Sequence, residues 1–219
     1  MFKELLLSLL LAVPVGAQSL ETKSYSASVV LFSELSSAII KPTCSGAVIK
    51  KEAEGYVILT AAHCVATVDE FGRTEIYSRK MYANSSVSTK GAVEVKVRRV
   101  GDLAQGEDYA ILFMPSSKQY SVLEIQKTLK KDFEEVFVIG APLGIGKLFL
   151  RGYIAEPDGT TRRWGDKVFL LQVLGVFDGS SGGPVVCAST GQICGILVGG
   201  IEPVRIAVAL DLNEVNVGY

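Results

Sequence analysis

The chain has 219 residues, and 22 Lys plus Arg set against 23 Asp plus Glu give it a formal charge of −1. That length suits one large β-rich unit or two small lobes and leaves no room for a second full-sized module. The even charge excludes a polyanion-binding surface as the main business of the chain, so no nucleic acid is expected as a partner.

At the N-terminus, residues 1–17 read MFKELLLSLLLAVPVGA. An apolar run from Leu5 to Val13, then Pro14 and small residues up to Ala17, has the form of a leader cleaved before Gln18. It is too short to span a bilayer. The expectation is a secreted or periplasmic protein with no membrane attachment once the leader is gone, and a mature unit over 18–219. Strand-like runs separated by turn signals follow. In the first half they are Ser26–Phe32, Cys44–Ile49, Tyr56–Thr60, Val93–Val100 and Tyr109–Met114. Val93–Val100 alternates apolar and charged residues, as in a sheet with one wet face. A polar connector over about 115–133, in which Ser121–Asp132 could form a short helix, divides this half from a second one. There the candidates are Val136–Ile139, Lys147–Ala155, Val168–Val173, Pro184–Cys187, Ile193–Val198 and Ile206–Asp211. No βαβ rhythm is present. The boundaries predicted are about 24–114 for the first β-rich lobe and about 134–212 for the second.

The four cysteines are Cys44, Cys64, Cys187 and Cys194. Three pairings are possible. One pair in each half favours Cys44–Cys64 and Cys187–Cys194, and export favours disulfides over thiols. No C-x-x-C spacing supports a metal site, and no metal or other cofactor is expected.

Three stretches carry chemistry: Thr60-Ala61-Ala62-His63-Cys64, Asp108-Tyr109-Ala110-Ile111-Leu112, and Asp178-Gly179-Ser180-Ser181-Gly182-Gly183-Pro184. Glycines around a serine permit a sharp turn whose N–H groups can converge on a developing oxyanion. A serine hydroxyl is a weak nucleophile until a base takes its proton. The single histidine of the chain, His63, is the imidazole available for that task. An imidazolium needs a carboxylate to orient and stabilise it, and Asp108, directly ahead of an apolar strand, is the best candidate. Asp69 and Asp102 do not lead such a strand. Gly179-x-Ser181-x-Gly183 also fits a nucleophile elbow, but there the histidine follows the serine, and none does here. The subtilisin order needs an aspartate before the histidine, and residues 1–62 contain none. The order His63, Asp108, Ser181 is that of the chymotrypsin type.

The chain resembles the trypsin-like (chymotrypsin-fold) serine peptidases. Residues 60–64 match the family's T-A-A-H-C and 179–184 its G-x-S-G-G-P, and the likeness extends over roughly 24–212. The resemblance implies two packed six-stranded antiparallel β-barrels with the site between them. It implies a His63–Asp108–Ser181 triad, an oxyanion hole from the N–H groups of Gly179 and Ser181, and a polypeptide substrate paired as an added strand with Val198–Gly200. Digestive members carry an aspartate where Ser180 stands, and no I-V-G-G-like start occurs near Ser24–Val30. The chain is therefore more similar to bacterial members of the HtrA-like and glutamyl type, and Val138–Gly144 resembles a segment of the HtrA group. The function expected is a serine endopeptidase acting through an acyl-enzyme, the alternative being a catalytically silent binding module on the same fold. Motif spacing places the primary specificity pocket at Gly175, Val176 and Phe177, at Val198, Gly199 and Gly200, and at part of Val204–Ala207. Those residues are mostly apolar or glycine, so an apolar P1 residue is expected. Arg205 is the exception: turned outward it is a solvated charge, and turned inward it would admit an acidic P1 side chain.

Overall fold

The computed structural model describes residues 19–36, 39–127, 130–201 and 204–218. The expected leader, 1–17, lies outside them. The chain opens with a short helix, α1 (Leu20–Ala27), whose first turn is capped by the Ser19 hydroxyl. The strands of the first half are β1 (Ser28–Ser36), β2 (Ile39–Glu52), β3 (Gly55–Thr60), β4 (Ala66–Val68), β5 (Thr74–Ile76), β6 (Met81–Asn84), β7 (Val93–Val100) and β8 (Ala110–Pro115). The second half holds β9 (Glu135–Gly140), β10 (Leu148–Thr161), β11 (Gly165–Val173), β12 (Pro184–Cys187), β13 (Ile193–Ile201) and β14 (Ile206–Asp211).

Two closed barrels result, in the orders β1-β2-β3-β8-β7-β6 and β10-β11-β14-β13-β12-β9, with β4 and β5 forming a small sheet apart. Every pairing between these strands is antiparallel. This is the double barrel that the family resemblance implies. The stretch within 121–132 is not helical where it is described. It runs extended, Leu123 N donating to Val48 O and Gln126 N to Ile193 O, and so is laced to both barrels.

Burial explains why several strands read as unbroken apolar runs. In β9, Val136 and Val138 point into the core of the second barrel with Phe169, Leu171 and Leu197. Phe137 and Ile139 point the other way, into a larger cluster shared with Leu59, Leu112 and Leu123 of the first half. Alternate residues of β14 divide likewise, Ala207 and Ala209 inward and Val208 and Leu210 outward. A strand buried on both faces has no polar side to alternate with. The packing between the barrels is therefore apolar and continuous with the core of the first barrel.

The helix α1 is held against the second barrel by Lys147. Its Nζ donates to Tyr25 O at 2.6 Å and to Ser28 O at 2.9 Å, with the Tyr25 ring 4.0 Å away. Burial of this ammonium pulls its pKa down to about 8. Among the described residues no helix is long and apolar enough to cross a membrane.

Candidate active site

Register brings the first two candidate residues together. In the first barrel β3 pairs with β8 so that Thr60 faces Ala110. His63, in the single 3-10 turn Ala62–Cys64 that follows β3, and Asp108, just ahead of β8, therefore leave neighbouring strand ends at the same edge. The turn is tied back to β2 by the Cys44–Cys64 disulfide. A second disulfide joins Cys187 to Cys194 across the β12–β13 hairpin. Cys44, His63 and Cys64 hold their ligand atoms within 4.8 Å of one another, but the two sulfurs are bonded to each other and offer no thiolate to a metal.

Asp108 is fully buried. Its Oδ1 accepts the His63 backbone N–H at 2.9 Å, and its Oδ2 lies 2.8 Å from His63 Nδ1. The same Oδ2 accepts the indole Nε1–H of Trp164 at 3.0 Å. Burial alone would push the Asp108 pKa up. The hydrogen bonds and charge of His63, together with the Trp164 bond, outweigh it and hold the carboxyl below its ordinary value. A carboxylate acceptor fixes the proton of neutral His63 on Nδ1 and leaves Nε2 as an acceptor.

That pKa also ties Asp108 to stability. A carboxyl whose folded value lies below its unfolded one, about 4, contributes stability that is complete above that pH and is lost as the pH falls through the folded pKa. Thermal melts of the native protein should therefore show a falling melting temperature below about pH 4. Asp108→Asn should reduce that acid slope, and an unchanged slope would contradict the linkage.

The third candidate comes from the second barrel. Residues 178–183 form a tight loop before β12, with Gly179 at φ +94° and Gly182 at φ +78°, backbone that glycine adopts without a Cβ clash. Within it Ser180 N donates to Phe177 O, Gly182 N to Leu197 O and Gly183 N to Ser180 O. The N–H groups of Gly179 and Ser181 have no acceptor among the described residues. Asp178 O is held by Leu143 N at 2.6 Å. Because the peptide is trans, this turns the Gly179 N–H away from Leu143. Gly179 and Ser181 line one cavity with His63, Cys44, Cys64, Arg79 and Asp178. No hydrogen bond joins Ser181 Oγ to the His63 ring among the described residues, and such contacts are commonly long until substrate tightens them. Ser180, beside the candidate nucleophile, is buried with its hydroxyl unpaired and packs against Gly140.

One residue that the sequence did not single out fastens this loop to the first barrel. Ser45 of β2 donates its hydroxyl to Gly179 O at 2.8 Å and accepts Ala141 N at 3.0 Å. Its own N–H donates to Ser181 O at 2.7 Å. Trp164 is a second such residue. It lies in the turn between β10 and β11 and reaches across to Asp108 of the other barrel.

The expected specificity residues divide. Gly175, Val176, Phe177 and Gly200 line a cavity of about 350 Å³ with Val173, Ile206, Ala207 and Arg205. Val176, Phe177, Gly199 and Gly200 also border the adjoining cavity that contains Ser181. Val198 is on neither lining; it is buried in the cluster between the barrels. Arg205 is exposed and sits at φ +55°, yet it contributes to the first cavity and is the only charged residue on that lining among the described residues. It forms no ion pair among the described residues.

Comparison with known proteins adds the family. A model of the trypsin-like peptidase domain matches residues 44–196. No curated protein matches the chain. Two solved structures of the inactive form of Rv3671c from M. tuberculosis H37Rv, one described as a protease and the other a serine-to-alanine mutant, are similar to it. They show 20% and 18% identity, each with a TM-score of 0.63, and the alignments cover 90% of this chain and 89% and 86% of theirs. A serine endoprotease from Yersinia pestis is similar at 22% identity and a TM-score of 0.61. That alignment spans 90% of this chain and 62% of the longer relative. At these identities the likeness is one of fold.

Proposed function

Because the chain belongs to the trypsin-like peptidase family, we propose that it is an exported serine endopeptidase whose triad is His63, Asp108 and Ser181. The observation that carries this reading is the 2.8 Å contact of Asp108 Oδ2 with His63 Nδ1, which leaves Nε2 for the cavity shared with Ser181. Ser181 Oγ attacks the scissile carbonyl carbon as its proton passes to His63 Nε2. The oxyanion formed is held by the N–H groups of Gly179 and Ser181. The tetrahedral adduct expels the amine, which takes the proton from His63, and leaves an ester on Ser181. Water, deprotonated by His63, then releases the acid and restores the hydroxyl. The ladder between β12 and β13 ends at Ile196, so the far edge of Gly199–Gly200 is open to an extended peptide. Two disulfides suit an oxidising compartment and support export.

A fluorophosphonate probe tests the assignment. Folded protein should be labelled at Ser181, and folded protein that resists labelling would instead support a catalytically silent binding module.

For specificity we propose an apolar P1 residue, on the glycine and aliphatic lining of the 350 Å³ cavity. One observation favours a second reading, an acidic P1 side chain: Arg205 lies on that lining without an ion-pair partner among the described residues. Cleavage profiles over a peptide library should show Lys and Arg rejected at P1, since either would meet the guanidinium. Arg205→Ala distinguishes the readings. Cleavage after Leu or Val should survive it, whereas cleavage after Asp or Glu, if the second reading holds, should fall more than about tenfold.

A further inference from the structure

The chain contains one tryptophan, and its indole nitrogen is bonded to the carboxylate that orients His63. We infer that Trp164 is a positioning residue for the triad: it fixes Asp108 Oδ2 and shares its negative charge with His63. The inference rests on the triad reading given above and extends it to a residue from the opposite barrel.

Four features frame this contact. Trp164 is 8% exposed and Asp108 is fully buried, so the bond is made out of water, where a donor to a charged acceptor counts for more. The ring lies against a position that only glycine fits. A Cβ on Gly199 would stand 2.5 Å from Trp164 Cη2, and one on Gly106 would stand 2.7 Å from the Trp164 carbonyl oxygen. The other side of the ring carries Arg163, whose guanidinium carbon is 4.8 Å from the ring centroid. The hairpin that presents the indole is held over the first barrel by Lys167, which donates to Gln105 O at 3.0 Å and lies 3.6 Å from Glu107 Oε1, next to Asp108. Asp108 Oδ2 thus has two donors, one on each barrel.

The consequence for chemistry follows from the shared oxygen. With the indole N–H in place, part of the carboxylate's charge is engaged by Trp164, and the rotation of the carboxyl is fixed by three donors. Without it, the charge on Oδ2 bears on His63 alone, which favours the imidazolium, while the carboxyl is less firmly placed. The other charged or titratable groups lining the cavities on either side of His63 are Tyr77, Arg163, Arg79 and Asp178. Tyr77, Arg79 and Asp178 make no hydrogen bond or ring contact with the indole among the described residues, and Arg163, which stacks on it, keeps an aromatic face when Trp164 is replaced by Phe.

The experiment is Trp164→Phe in the full chain, assayed for kcat and KM on a peptide substrate across pH 5 to 9. Expected are a kcat lower by roughly threefold to thirtyfold at little-changed KM, and an acidic limb of the kcat/KM profile moved to higher pH. A variant whose profile keeps the native midpoint, or moves downward, overturns the inference, because a packing role alone would scale the rates without that displacement. If Trp164→Phe fails to fold, the native protein supplies the test. Its one indole N–H gives a single nitrogen-correlated proton resonance. That resonance should titrate with the same midpoint as kcat/KM, and one that does not respond overturns the inference. Activity that survives Ser181→Ala would defeat the triad reading, whereas these measurements start from an active native enzyme and bear on Trp164 alone.

Discussion

Ser181→Ala should yield a protein with an unchanged melting temperature and a peptide hydrolysis rate lower by about 10⁴-fold to 10⁶-fold. The size of the loss follows from what the hydroxyl does. In the proposed mechanism it forms the covalent ester, and without it no acyl-enzyme would exist, so only the proposed oxyanion donors and substrate binding would be left to act on a water molecule. The fold should tolerate the change because Ser181 holds its place through its backbone. Its carbonyl accepts Ser45 N–H, and its side-chain oxygen has no protein hydrogen bond among the described residues. Rates on a peptide substrate, with thermal melts of the same samples, measure both halves of the expectation. Retained turnover in the folded variant would remove Ser181 from the mechanism.

Gly182→Ala should have the largest effect on stability. Gly182 has φ +78°, and a Cβ there would fall 2.1 Å from Thr60 Oγ1, 2.4 Å from Ser45 O and 2.8 Å from Ala61 N. Two of those atoms are backbone, and Thr60 Oγ1 is held by its own hydrogen bond to Ser45 O at 2.6 Å. No neighbour can turn aside, so the loop must lift off the first barrel. The cost should be roughly 3 kcal/mol or more, which for a chain of this size lowers the melting temperature by about 6–12 °C. Activity should be lost with it, since the displaced loop carries Gly179 and Ser181, the proposed oxyanion donors. A melting temperature within about 2 °C of native would show that the loop does not need this close approach.

The sequence made some parts of the fold easy to read and hid others, for physical reasons. Val93–Val100, Pro184–Cys187 and Ile206–Asp211 are strands over the spans expected, because burial on one or both faces writes itself into the order of side chains. Met81–Asn84 closes the first barrel with four residues and carries no such pattern. The strand β10 runs past Glu156-Pro157-Asp158-Gly159, which reads as a turn, because the register shifts repeatedly against β11 there and takes up those residues. The helix α1 has no apolar stripe; its place is set by Lys147, more than a hundred positions away. At the candidate site, residue type and chain order nominate His63, Asp108 and Ser181. Nothing local nominates Ser45 or Trp164. Their roles come from contacts 134 and 56 positions apart, and only the closing of two barrels on each other makes those contacts.

The bonds from Ser45 have a mechanical consequence. They join the lobes and at the same time hold the backbone of the 178–183 loop, so a movement that parts the lobes at this point also acts on that loop. Breathing of the molecule along its waist would pull on the backbone of Gly179 and Ser181, the proposed oxyanion donors. Under the proposed function, any opening between the two halves should therefore cost turnover as well as contact area.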